Sequence, residues 1–183
     1  MRVAMPSTPA SYFHLLRRQA KATPRKPLIV FTPKSMLRKK AATSQVEDFT
    51  SGSFEPVLPD TTVDPAKVKR VLLTSGKVYW DLVAKRKKEG REDTAIVRVE
   101  QLYPLPAEQL SSVLEAYPDA ELTWVQEEPR NQGAWFYMAM NFAVTVGRTL
   151  RVVARPASAS PAAGSSSVHK TEQEDLLRRA FER

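Results

Sequence analysis

The sequence contains no cysteine, which excludes disulfides and thiolate metal sites and fits a reducing compartment. Only two histidines occur, His14 and His169. They are far apart in the chain and lack spaced carboxylate partners, so no metal-ligand pattern is present. Six glycines stand at Gly52, Gly76, Gly90, Gly133, Gly147 and Gly164, none paired closely enough to build a phosphate-cradling loop. A nucleophile elbow needs a glycine two positions before its serine, and Ser75-Gly76 lacks one. That dipeptide reads as an ordinary strand-to-helix turn, although its backbone N–H groups could face an anion at a helix start. No apolar run approaches the roughly 18 residues of a membrane span. No acidic residue precedes Glu47.

What is present suits a globular protein. Of 183 residues, 42% are apolar, enough for one domain with a core, or one domain plus an attached piece. The net charge of +8 is unevenly placed. Ten basic residues precede Glu47: Arg2, Arg17, Arg18, Lys21, Arg25, Lys26, Lys34, Arg38, Lys39 and Lys40. The other 18 of the 28 basic residues face all 20 acidic ones, so the positive charge belongs to the first quarter of the chain. Such a start fits a transit peptide, a nucleic-acid patch, or a basic surface facing another part of the same protein or its partner. The strand-like run Pro27–Phe31 speaks against a transit peptide, and few aromatics interleave with the basic residues.

Thr8-Pro9 reads as an N-cap followed by proline at the first helical position, predicting a helix over about 9–21 with Tyr12, Leu15, Leu16 and Gln19 on one face. The apolar run Leu28–Phe31 predicts a strand buried on both faces, which needs further sheet neighbours. Residues 34–66 read as an interdomain linker with apolar anchors Phe49, Phe54, Val57 and Leu58. From residue 67, strands at 68–74, 94–99, 120–127 and 150–154 alternate with helices at 78–88, 106–117, 135–145 and 171–181. That alternation predicts an α/β fold, an αβα sandwich of four or five mostly parallel strands. Thr171 and Glu174 have capping-box spacing for the last helix, and Pro156–Ser167 reads as an ordered loop before it.

No catalytic constellation emerges. Glu127 and Glu128 point opposite ways at a strand end, which predicts one buried, hydrogen-bonded carboxylate and one solvated one. The polar stretch Gln126–Trp135 (QEEPRNQGAW) lies at a strand's carboxyl edge, where α/β sheets form sites. The helix after it carries Trp135, Phe136, Tyr137, Met138 and Met140, wider than one buried stripe, so it is expected to touch another domain or subunit as well as the core.

Several strings together resemble the first, thiamine-dependent component of 2-oxoglutarate dehydrogenase, in an actinobacterial style. They are Met5–Gln19 (MPSTPASYFHLLRRQ), Arg25–Arg38 (RKPLIVFTPKSMLR), Val99–Pro104 (VEQLYP), Gln126–Trp135, Arg155–Ala162 and His169-Lys170. The resemblance implies residues 1–33 as the end of a pyrimidine-binding domain, 34–66 as an interdomain linker, and 67–183 as a transketolase-type C-terminal domain. It implies decarboxylation of 2-oxoglutarate on thiamine diphosphate with magnesium in the full-length enzyme. The succinyl group then passes to the lipoyl arm of the dihydrolipoyl succinyltransferase, in the citric acid cycle. It implies a cytoplasmic homodimer working with that component and dihydrolipoyl dehydrogenase, and no nucleic-acid or membrane partner. The cofactor motifs of the family lie upstream of the matched strings. Met1 is therefore expected to be an internal position of a longer sequence, and the chain to be inactive alone, with no catalytic or cofactor-binding residue of its own. Actinobacterial relatives carry an allosteric acetyl-CoA site, whose phosphate-binding candidates here are Arg18, Lys34, Ser35, Arg38 and Arg98.

Overall fold

A computed structural model describes residues 1–182. The chain opens with strand β1 (Arg2–Ala4), helix α1 (Pro9–Lys21) and strand β2 (Leu28–Val30), which pairs in parallel with β1. Thr8 caps α1 as predicted, its hydroxyl accepting from the Ser11 N–H at 3.1 Å, with Arg18 and Lys21 in the last turn. Ala10, Ser11 and His14 are the buried residues of α1, while Leu16 stays 47% exposed. In β2, Leu28 and Val30 are half-buried and Ile29 is 46% exposed, because β1 is its only neighbour strand among the described residues.

The connector carries short regular elements. It holds 3-10 turns at Lys34–Met36, Lys40–Ala42 and Pro65–Lys67, the short helix α2 (Glu47–Thr50) and the two-residue strand β3 (Val57–Leu58). Then follow β4 (Arg70–Thr74), α3 (Val78–Glu89), β5 (Thr94–Val99), α4 (Ala107–Leu114), β6 (Glu121–Pro129), α5 (Trp135–Val146), β7 (Arg151–Arg155) and α6 (Ser166–Phe181). The sheet order is β3-β5-β4-β6-β7, parallel except for the antiparallel edge strand β3.

Alternation along β4 divides the core. Val71 and Leu73 face one layer, where Leu110 and Leu114 of α4 and Met138 and Phe142 of α5 cover Val97 and Trp124. Leu72 faces the other, where Val78 and Leu82 of α3 and Leu176 and Phe181 of α6 cover Ile96 and Val125. Period-two side-chain placement on a central strand therefore demands an apolar run, and helices on both faces follow from it. The fold is the expected αβα sandwich, with five strands because Val57 and Leu58 join the sheet.

Two helix bounds differ from expectation. The last helix begins at Ser166, capped by the Ser165 hydroxyl accepting from the Val168 N–H, and Thr171 lies inside it with its hydroxyl donating to the Ser167 carbonyl at 3.2 Å. A hydroxyl satisfied within the preceding turn is not a cap. Helix α4 ends at Leu114, and Tyr117 is buried in the turn that follows.

The connector is tied down by a buried ion pair. Asp60 and Arg86 leave only 3% and 9% of their side chains exposed and are in direct contact. Arg86 also donates to the Thr94 carbonyl at 3.1 Å and the Thr62 hydroxyl at 2.6 Å, while Asp60 accepts from the Ile96 N–H at 2.8 Å. β3 pairs with only Arg98 and Val99 of β5, so the Asp60 carboxylate takes over the next edge donor of that strand. Burial pushes the Asp60 carboxyl upward, but the hydrogen bonds from Arg86, Thr62 and Ile96 outweigh it and hold the group below the usual carboxylate range.

Candidate functional site

The carboxyl ends of β1 and β2 and the start of α3 meet at one crevice of about 470 Å³. Met5 to Pro9 leave β1, Phe31 to Pro33 leave β2, and Lys77 precedes α3. The turn over 34–43 closes the third side. The carboxyl edge is where parallel sheets leave helix starts and free loop backbone, hence where they build sites. The walls are apolar, with Met5, Tyr12, Phe31, Met36 and Leu37, and the basic residues are Arg38, Lys39, Lys40 and Lys77. Lys39 lies 3.4 Å from Asp81, and Lys77 contacts Glu127 directly. Among the described residues no ion pair involves Arg38 or Lys40, so these two remain available to an anion. An amphiphile with an acidic head suits this combination. A second depression, of about 570 Å³ at Lys67, Lys69 and Gly90–Asp93, is shallow and lies at the opposite, amino edge of the sheet.

Behind the crevice runs a polar seam between α1 and the five-stranded sheet. Glu100 accepts from the Ser7 N–H at 3.1 Å and the Ser11 hydroxyl at 2.8 Å, so a carboxylate sits at the positive end of α1. Trp80 donates its indole N–H to the Ser7 carbonyl at 2.8 Å. His14 donates from Nε2 to the Asp48 carbonyl at 2.8 Å, holding α1 to α2. Gly76 belongs to the same contact. Its φ is +73°, and a Cβ there would lie 2.1 Å from the Met5 methyl carbon. Both the left-handed backbone and the close approach therefore call for glycine.

The sequence candidates separate in space. Lys34 and Ser35 are exposed on the turn whose Met36 lines the crevice, and Arg38 lines it directly. Arg98 stands behind the wall, donating to the Ser7 hydroxyl at 3.1 Å with its guanidinium 4.4 Å from the Tyr79 ring centre. Arg18 is elsewhere, donating to Gln101 at 2.8 Å and stacked 5.2 Å from the Phe54 ring. Lys39, Lys40 and Lys77 were not among the candidates. Lys39 and Lys40 continue the run begun at Arg38, and Lys77 follows Ser75-Gly76 at a strand's carboxyl end, which is the signal that marks them.

The stretch Gln126–Trp135 proves architectural. The Gln126 side-chain amide donates to the carbonyls of Pro129 at 3.2 Å and Gln132 at 2.7 Å and accepts from Trp124 Nε1 at 3.0 Å. It thereby staples the turn from inside. Asn131 and Gln132 both donate to the Ser158 carbonyl, at 3.0 and 2.9 Å, and clasp the loop after β7. Of the acid pair, Glu128 is exposed and Glu127 is partnered by Lys77 as expected, but Glu127 is half-buried rather than buried. Among the described residues no group of three or more His, Asp or Glu side chains is placed to hold a metal ion, and no helix is long and apolar enough to cross a membrane.

Residues 43–181 match the family described as 2-oxoglutarate dehydrogenase C-terminal. The chain belongs to that family. Residues 1–40 match the transketolase pyrimidine-binding domain. The boundary between the two matches falls in the turn that closes the crevice. Over 99% of its length the chain is 50% identical to a multifunctional 2-oxoglutarate metabolism enzyme of Mycolicibacterium vanbaalenii, and also to a 2-oxoglutarate dehydrogenase E1 component of Azotobacter vinelandii. It spans 15% of the first relative and 20% of the second. Among solved structures, a split-gene transketolase described as an inactive beta4 tetramer shares the fold, with a TM-score of 0.63 at 14% identity, over 98% of this chain and 56% of that one. The 2-oxoglutarate dehydrogenase C-terminal match thus begins in the connector, ahead of Asp48, whose carbonyl receives the His14 hydrogen bond.

Proposed function

We propose that this chain is the C-terminal part of the thiamine-dependent, decarboxylating component of 2-oxoglutarate dehydrogenase. Identity of 50% over 99% of the chain to proteins of that name carries the reading. In it, residues 1–33 complete a pyrimidine-binding domain, 34–66 cross between domains, and 67–183 form the C-terminal domain. The whole protein would decarboxylate 2-oxoglutarate and pass the succinyl group to the lipoyl arm of the dihydrolipoyl succinyltransferase, as a cytoplasmic homodimer that also works with dihydrolipoyl dehydrogenase. The thiamine diphosphate and magnesium of that reaction would be held by parts of the whole protein outside this chain. Among the described residues no cluster of acidic side chains fits a magnesium ion. This part instead packs the domains together through the Glu100 seam and offers the crevice to an acyl-CoA effector, with Lys34, Ser35 and Arg38 meeting its phosphates.

Two measurements test the reading. The purified chain, given 2-oxoglutarate, thiamine diphosphate and magnesium, is expected to release no carbon dioxide, and clear turnover would overturn its role as a non-catalytic part. Calorimetric titration with acetyl-CoA is expected to show binding that Arg38→Ala weakens and Arg18→Ala leaves alone. Equal loss from both variants would remove the crevice from consideration.

A further inference from the structure

Helix α5 has two faces. Met138 and Phe142 are fully buried against the sheet, whereas Phe136, Met140 and Val144 are 57%, 75% and 88% exposed. The exposed three stand four residues apart and form one continuous ridge along the helix. Beside them run Ala139 and Ala143, also exposed and also four apart, which leave a shallow groove. Tyr103, 80% exposed, extends the patch and packs edge-on against Tyr137. No residue from Trp135 to Val146 carries a charge.

From this arrangement we infer that α5 is a self-pairing surface, packing against α5 of a second copy of the chain across a two-fold axis that passes beside Ala139 and Met140. The inference rests on the homodimer in the proposed function and names the face that forms it.

Three observations favour a second copy over another occupant. A two-fold axis brings every residue near it against its own duplicate, so a charge there would meet a like charge, and this helix has none. The ridge of large residues and the groove of alanines have the same four-residue spacing, so the ridge of each helix fits the groove of the other. That is the commonest way two helices cross. With the axis between Ala139 and Met140, Phe136 lies over Ala143 of the partner subunit and Met140 over the partner's Ala139, large against small in both directions. The area also suffices. Phe136, Met140, Val144 and Tyr103 together expose on the order of 500 Å², so two copies would bury about 1,000 Å², near the lower limit for a specific interface.

The absence of cysteine makes the test direct. The chain is followed by analytical ultracentrifugation over a concentration series, alone and as Met140→Glu. The wild type is expected to dimerise. Met140→Glu, which sets two carboxylates face to face at the axis, is expected to raise the dissociation constant at least about thirtyfold. Its circular dichroism should stay unchanged, and its melting temperature should match that of the wild type at concentrations where both are monomeric, because the side chain faces solvent in the single chain. Independently, Ala139→Cys should form an intermolecular disulfide under mild oxidation, while Val46→Cys, at a position 71% exposed in the connector, should not. A dimer that survives Met140→Glu would overturn the inference and leave the homodimer reading intact. A chain monomeric at every concentration, with no Ala139→Cys cross-link, would overturn the inference and give the face to another segment of a longer polypeptide. The decarboxylation assay is independent of either result.

Discussion

Replacing Asp60 by alanine removes one partner of the most buried ion pair described, and the structure sets the scale of the loss. Arg86 would keep its hydrogen bonds to the Thr94 carbonyl and the Thr62 hydroxyl but lose its counter-charge in a site where only 9% of its side chain reaches solvent. The Ile96 N–H would lose its acceptor as well. Breaking a buried pair in this way costs about 3–5 kcal/mol. For a chain of this size that corresponds to a fall in melting temperature of roughly 6–20 °C. The double substitution Asp60→Leu with Arg86→Met removes both charges and should recover much of the loss, since an apolar replacement of similar volume is often neutral or better. Urea unfolding followed by tryptophan fluorescence reads all three proteins. Acidification supplies a second arm. The folded-state Asp60 carboxyl lies below its ordinary value, so its contribution is fully present above the unfolded pKa of about 4 and is lost as pH falls through the folded value. The wild type should therefore lose stability below that pH, and Asp60→Ala should lack this part of the loss. A single-variant cost under about 1 kcal/mol, in the range of a surface pair, would refute the reasoning. So would a double variant no more stable than the single one.

Gly76→Ala combines a left-handed φ with a methyl group inside the van der Waals radius of Met5, and should cost about 1–3 kcal/mol in urea unfolding. Adding Met5→Ala should restore only part of that, because the backbone strain remains; full recovery would show that φ contributes nothing. Glu100→Ala removes the acceptor for the Ser7 N–H and the Ser11 hydroxyl. Hydrogen exchange is expected to accelerate in α1 while β4 and β5 stay protected, and uniform acceleration across the chain would show that the seam is not a separate unit.

Much of the fold was legible because it depends on local patterns. The run Val71-Leu72-Leu73 needs cover on both faces, the alternation of strands and helices implies parallel pairing, and Thr8-Pro9 starts a helix wherever it stands. The errors lie where the deciding contact is distant in sequence. Val57-Leu58 becomes a strand because β5 offers free edge donors, and nothing near residue 57 announces that. Thr171 and Glu174 have the spacing of a cap, but the helix begins at Ser166, where the Ser165 hydroxyl reaches a free N–H first. The Gln126–Trp135 stretch resembles a site because it is polar and sits at a strand's carboxyl edge. Only the folded chain shows that the Gln126 amide spends its hydrogen bonds on the turn itself.

The same division holds for function. The sequence alone determined the family, through strings spread over the whole length, and the αβα class, through periodicity. It also located the positive charge in the first 46 residues. Tertiary structure decided which of those charges share a surface. It brought Arg38, Lys39, Lys40 and Lys77 to one crevice, left Lys34 and Ser35 exposed on the turn beside it, put Arg98 behind the wall, and set Arg18 against Gln101 and Phe54. Composition counts a charge wherever it stands in the chain. A binding surface depends on distance and burial, and those exist only after β1 and β2 are set against the end of β4.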